Sequence, residues 1–97
     1  MSRTPLSREE IATALSTLTG WDLSEDQRSI RKDFRFRDFN AAFAFMTRIA
    51  MAAEKLDHHP EWSNVYNKVE ITLTTHSAKG LTALDIRMAQ LINDYAG

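Results

Sequence analysis

The 97-residue sequence predicts an α+β two-layer domain: a four-stranded antiparallel sheet with three helices, in the order α-β-β-α-β-β-α. Three observations carry that expectation. Apolar residues recur at helical spacing in three stretches, each opened by residues that cap helices. Between those stretches, apolar and polar residues alternate with a period of two. Hairpins separated by helices indicate antiparallel strands covered on one face.

The chain is short enough that residues 1–97 read as a single domain. A net charge of −1 creates no global attraction to nucleic acid or membrane. Cysteine is absent, which excludes disulfides, thiol nucleophiles and cysteine-bound zinc. No apolar run approaches the ~20 residues of a membrane span. The opening Met1-Ser2-Arg3-Thr4-Pro5 lacks the apolar core of a signal peptide, so the expected location is cytoplasmic.

Ser7-Arg8-Glu9-Glu10 forms a capping box, with Leu6 and Ile11 as its staple. Ile11, Leu15 and Leu18 mark the buried face of the first helix, and Gly20 is its expected stop. Trp21 opens a short extended piece, followed by the polar turn Ser24-Glu25-Asp26-Gln27. Ile30, Phe34 and Phe36 then alternate with Arg31, Asp33, Arg35 and Arg37, giving a strand with one buried and one charged face. The cations Arg28, Arg31, Lys32, Arg35 and Arg37 read as a solvated outer face. A phosphate-binding patch is the alternative, but no aromatic residue interleaves on the basic side, as a single-strand nucleic-acid platform requires.

Asp38 caps a second helix that runs to about Asp57. Its apolar residues, among them Phe39, Phe43, Phe45, Met46, Ile49 and Leu56, cover about half the circumference, whereas one layer of sheet needs a stripe of ~100°. The excess points to a second copy of the chain, hence a homodimer or homotetramer through this helix. Burial between the other two helices is the alternative. Pro60 is expected to end the helical run. Val65, Val69, Ile71 and Leu73 share odd parity, with Asn67-Lys68 in a hairpin loop of three residues or with a bulge. His76-Ser77-Ala78-Lys79-Gly80 reads as a loop. Thr82 caps the third helix, with Asp85 at its third position and Leu84, Met88, Leu91 and Tyr95 as its buried stripe.

The chemistry concentrates in Glu54-Lys55-Leu56-Asp57-His58-His59-Pro60-Glu61-Trp62, which holds two of the three histidines. The third, His76, follows the last strand, and Asp85 opens the last helix. All sit at element ends, where functional groups commonly gather. An imidazole with an ordinary pKa of ~6.5 can give and take protons near neutrality. Each residue also has a plainer reading: solvated histidines, a capping Asp85, a Glu54 paired along its helix. A His/Asp metal-dependent enzyme is the rival reading. The adjacent His58 and His59 face opposite ways in extended chain, which suits one ion poorly.

These segments resemble the pterin-4a-carbinolamine dehydratase family. The resemblance rests on Glu54 to Trp62, Asn64-Val65-Tyr66-Asn67-Lys68-Val69, Thr75-His76, and Gly80-Leu81-Thr82 with Asp85. Phe36-Arg37-Asp38-Phe39-Asn40 and Phe45-Met46-Thr47-Arg48 extend it over nearly the whole chain. It implies dehydration of a 4a-hydroxytetrahydropterin to the quinonoid dihydropterin, in tetrahydrobiopterin recycling, without metal or cofactor. It implies catalytic roles for His58, His59, His76 and Asp85. Glu54, Asp57, Pro60, Thr74, Thr75 and Ser77 would bind the pterin, the threonines and Ser77 through the main chain, and Trp62 would help wall the pocket. It implies dimers pairing into tetramers through the second helix. Animal relatives also serve as a dimerisation cofactor of a transcription factor, and a non-catalytic role of that kind is the alternative. Direct nucleic-acid binding and membrane association are not expected.

Overall fold

The computed structural model describes residues 2–97. Its elements are α1 (Arg8–Leu15), β1 (Asp22–Leu23), β2 (Ile30–Arg35), α2 (Phe39–Leu56), β3 (Glu61–Val65), β4 (Lys68–Leu73) and α3 (Ala83–Ala96), with a 3₁₀ turn at His76–Ala78 before α3. The four strands form one antiparallel sheet in the order β1-β2-β4-β3. This is the expected α+β architecture. No described helix is long and apolar enough to cross a membrane.

Register explains which residues form the core. Ile30 pairs with Leu73, Lys32 with Ile71 and Phe34 with Val69, while Trp62 also pairs with Ile71. Those pairs share one face, and all but Lys32 and Trp62 are buried. Against them pack Ala42, Phe45, Ile49 and Ala53 from α2, Met88, Ala89 and Ile92 from α3, and Ile11 from α1. Phe45 stacks at a tilt on both Phe34 and Phe36, with centroids 5.0 and 4.7 Å away. The opposite face is polar. There Arg31 pairs with Asp33 and Glu70 at 3.1 and 2.9 Å, and Lys68 reaches Glu70 at 3.3 Å. The Ser63 hydroxyl first, and Lys68 after it, hold the Glu70 carboxyl below its ordinary range.

Several local expectations are revised. Helix α1 ends at Leu15, and two tight turns carry the chain on so that Leu18 still reaches the core. Lys32 leaves the basic series and turns inward. Its Nζ donates to the Thr19 carbonyl at 2.7 Å and to Asn93 Oδ1 at 2.9 Å, and sits 5.0 Å from the Phe34 ring centre. Burial pushes the Lys32 ammonium below its usual pKa. The hairpin loop has two residues, Tyr66 and Asn67, since Val65 pairs with Lys68. Two loop residues make each pair one odd and one even number, so Val65 lies on the outer face, away from Val69, Ile71 and Leu73. Tyr66 meets the turn by adopting φ +50°. In α3, Ala89 and Ile92 replace Leu91 and Tyr95 in the fully buried stripe.

Gly20 holds φ +86°, and a Cβ there would lie 2.8 Å from Lys32 Cε. Gly20→Ala is therefore expected to destabilise the protein by about 1–2 kcal/mol, most of it from the left-handed backbone. Urea unfolding of the two proteins measures this.

Candidate active site

The end of α2 decides where two of the histidines go. Asp57 adopts φ +52°, and the N–H groups of Asp57 and His58 bond back to the carbonyls of Glu54 and Ala53 at 3.3 and 3.0 Å. This is a Schellman closure with an aspartate where glycine is usual. The helix thus ends at Leu56, beside the expected end at about Asp57, but its own cap and not Pro60 provides the stop. The chain leaves in extended form, so neighbouring side chains diverge. His58 points inward and is 6% exposed. His59 points out, with Nε2 2.7 Å from Glu54 Oε2, one turn back on the helix.

Asp85 receives His58. It is fully buried at the third position of α3, where its Oδ2 accepts the Thr82 N–H at 2.9 Å. The same oxygen accepts the Thr75 hydroxyl at 2.7 Å, and Oδ1 lies 2.6 Å from His58 Nε2. Thr75 and Thr82 hydroxyls meet at 2.9 Å. Since Thr75 gives its hydrogen to Asp85, the Thr82 hydroxyl donates in that contact, while its oxygen also takes the Leu84 N–H at 3.3 Å. Every buried side-chain polar atom described here has a partner. With Asp85 as a carboxylate, His58 carries its hydrogen on Nε2. Its Nδ1 has no protein partner among the described residues and is not sealed from solvent. The ring is therefore held by one nitrogen and open at the other.

His76 stands at the start of the 3₁₀ turn, well exposed, with Nε2 2.6 Å from Glu61 Oε2. Thr75, its neighbour, points the other way, into the Asp85 network. Two routes thus bind His76 to His58. One runs through Thr75 and Asp85. The other runs along His58-His59-Pro60-Glu61 and across the Glu61–His76 bond. Beside His76, on the outer face of the sheet, lies a cavity of about 330 Å³ lined by Arg28, Glu61, Thr72, Thr74, His76 and Lys79.

The other expected residues are placed as follows. The Thr74 hydroxyl donates to the Arg28 carbonyl at 2.5 Å. The Thr75 main chain is already engaged: its N–H donates to Gly80, and its carbonyl accepts from Ala78 and Gly80. Ser77 is exposed, and its N–H makes no main-chain hydrogen bond among the described residues. Pro60 is half-buried. Trp62 lies on the core side, packed against the apolar cluster. The Asp57 carboxylate stands in solvent, and the Arg3 guanidinium donates to the Asp57 carbonyl at 2.6 Å. Among the described residues, no three His, Asp or Glu side chains gather as a metal site requires; each imidazole faces a carboxylate of its own.

Sequence reasoning assigned no role to Glu61 or Lys79 and read Arg28 as one of the solvated cations of β2's outer face. Glu61 lies inside the stretch singled out, and its place beside His76 follows from its pairing with Thr72. Arg28 and Lys79 reach one cavity from segments far apart in sequence.

The family model described as pterin 4 alpha carbinolamine dehydratase matches residues 4–95. A protein of Mesorhizobium japonicum, provisionally named a pterin-4-alpha-carbinolamine dehydratase, is 56% identical over 97 residues, covering 100% of this chain and 99% of its own. One from Brucella ovis with the same provisional name is 50% identical, covering 100% of both chains. A crystal structure described as a transcriptional coactivator/pterin dehydratase from Brucella melitensis superposes with a TM-score of 0.94 at 49% identity, over 97% of this chain and 100% of that one. A pterin dehydratase-like protein described as a RuBisCO assembly factor shares the fold, with a TM-score of 0.70 at 23% identity over 80% of this chain and 90% of that one.

Removing the Asp85 carboxylate leaves His58 Nε2, the Thr75 hydroxyl and the Thr82 N–H without their acceptor. Asp85→Ala is expected to cost about 3–5 kcal/mol, the range for breaking a buried pair. A loss under 1 kcal/mol in denaturant unfolding contradicts the network.

Proposed function

The chain belongs to the pterin-4a-carbinolamine dehydratase family, and from that membership we infer a hydro-lyase that removes water from a 4a-hydroxytetrahydropterin. The product is the quinonoid dihydropterin, as in tetrahydrobiopterin recycling. The observation that carries the reading furthest is the His58 ring, fixed by Asp85 at Nε2 and open at Nδ1. Family membership names the reaction, and this ring supplies a group able to perform it.

The substrate bears a hydroxyl and a ring nitrogen, N5, on one carbon, C4a. The N5 lone pair forms the C4a=N5 bond as the C4a–O bond breaks. The leaving oxygen takes a proton from an acid and departs as water. A base then removes one ring proton from the cation, so the enzyme ends with the protons it started with.

His58, through Nδ1, and His76 divide the acid and base work around the hydroxyl. His59 contacts the ring and steadies the developing charge. Asp85 is a positioning residue, because it acts through His58 and is sealed from substrate. Thr75 belongs with it, since its hydroxyl and main chain are both occupied. Glu54 and Asp57 accept the amino and amide protons of the pterin. Thr74 and Ser77 offer main-chain bonds to its edge, and Pro60 shapes the floor. No metal or cofactor takes part in this scheme.

The same proposal includes self-association and a cytoplasmic location. Phe39, Phe43 and Met51 stand exposed along one side of α2 at 48%, 56% and 65%, a solvent-facing apolar stripe that a second copy of the helix would cover. That stripe also favours a second reading, an interaction role like the coactivator in the description of the Brucella melitensis relative.

His58→Ala and His76→Ala are each expected to slow turnover roughly 10²–10⁴-fold, the range for a lost acid or base. EDTA is expected to leave the rate unchanged. Dehydration of freshly generated carbinolamine, followed by absorbance, measures both, and an undiminished rate in the two variants contradicts the assignment. Phe43→Glu is expected to lower the sedimentation-derived mass by half or more; an unchanged mass places the self-contact elsewhere.

A further inference from the structure

The cavity beside His76 holds two cations that the dehydration scheme does not use. Arg28 and Lys79 both line it, and neither side chain forms an ion pair among the described residues. The acids nearby are committed elsewhere. Glu61 is bound to His76. Asp26 takes the Ser24 hydroxyl at 2.7 Å and the Arg28 main-chain N–H at 3.0 Å, and the Arg28 guanidinium acts on it only from beyond ion-pair distance.

Both cations are carried on fixed backbone. The Arg28 carbonyl is tied to the segment just past β4 by the Thr74 hydroxyl. Lys79 holds φ +56° and donates its N–H to the His76 carbonyl at 3.0 Å. The cavity lining carries two cations against one carboxylate, Glu61, an excess of positive charge in a chain of net charge −1, and it adjoins a proposed acid–base group.

The substrate's chemistry says what would meet them. In a pterin, C6 is joined to C4a through N5 alone, so a C6 side chain leaves the ring close to the reacting hydroxyl. With that hydroxyl at His76, the side chain enters the neighbouring cavity. We propose that Arg28 and Lys79 select pterins whose C6 side chain carries an anion, a carboxylate or a phosphate ester. The proposal rests on the dehydratase reading of the same site and adds the substrate class that reading leaves open. Arginine recognises both anions through its planar fork, and lysine adds a mobile point charge.

Equilibrium binding tests this independently of catalysis, because pterins fluoresce. The probes are 6-methylpterin, pterin-6-carboxylate and the phosphate ester of 6-hydroxymethylpterin. The wild-type protein is expected to bind at least one anionic probe roughly tenfold or more tightly than the methyl compound at low salt, with the advantage shrinking as ionic strength rises. Comparing the two anionic probes identifies which anion is preferred. In Arg28→Ala/Lys79→Ala the ratio is expected to fall to near one, and in Arg28→Glu/Lys79→Glu to fall below one. Equal binding of all three probes by the wild type overturns the proposal, as does a tenfold preference that survives both double variants. A protein that prefers the anionic probes yet dehydrates no carbinolamine overturns the dehydratase reading and leaves the anion site standing.

Discussion

One buried carboxylate governs the functional end of this molecule. A charge removed from water must be matched by donors, or burial destabilises the fold by several kcal/mol. Asp85 is matched by three groups from three places: the turn into α3, the exit of β4 and the exit of α2. The requirement that stabilises the carboxylate therefore fixes the positions of those segments. A capping residue, ordinarily a local device, here also sets the orientation of an imidazole distant in sequence. In the proposed scheme, stability and proton chemistry draw on the same oxygen atoms.

The three imidazoles share a pattern and differ in setting. Each has a carboxylate at 2.6–2.7 Å. For His58 the pair is enclosed, so one ring nitrogen is fixed, and the other has no protein partner among the described residues. For His59 and His76 the pair lies in water, where such contacts are weak and exchange easily. A ligand can displace Glu54 or Glu61 at small cost, but cannot displace Asp85 from His58 without opening the core. The proposed site thus combines one rigid group with two adjustable ones, which suits a flat substrate that must enter, lose a hydroxyl and leave.

What could be read from the chain was what is settled locally. Ser7, Asp38 and Thr82 announced their helices because capping is decided within four residues. The charged face of β2 followed from its period of two. Val65 was misassigned because parity across a hairpin depends on loop length, and Tyr66 entered a left-handed conformation that its residue type does not advertise. The stop of α2 was attributed to Pro60 when Asp57 provides it, for the same reason. Residues of the site were legible as types in a motif, while their partners were not. Glu61 reaches His76, and Thr75 reaches Asp85, only after the sheet has set its register.

The closure of α2 has a bearing on how the chain tolerates insertions and deletions. His58 is both the residue that completes the helix end, through its N–H on Ala53, and the residue that enters the core. Adding or removing one residue between Ala53 and Pro60 would rotate the exit by a full alternation and exchange the inward imidazole for the outward one. The spacing of that segment is therefore as constrained as its composition. The hairpin tip is held in a similar way: the Asn67 carbonyl accepts the Phe36 N–H and its side-chain amide donates to the Phe36 carbonyl, each at 2.8 Å, so the loop length that sets the strand faces is tied to the end of β2 as well.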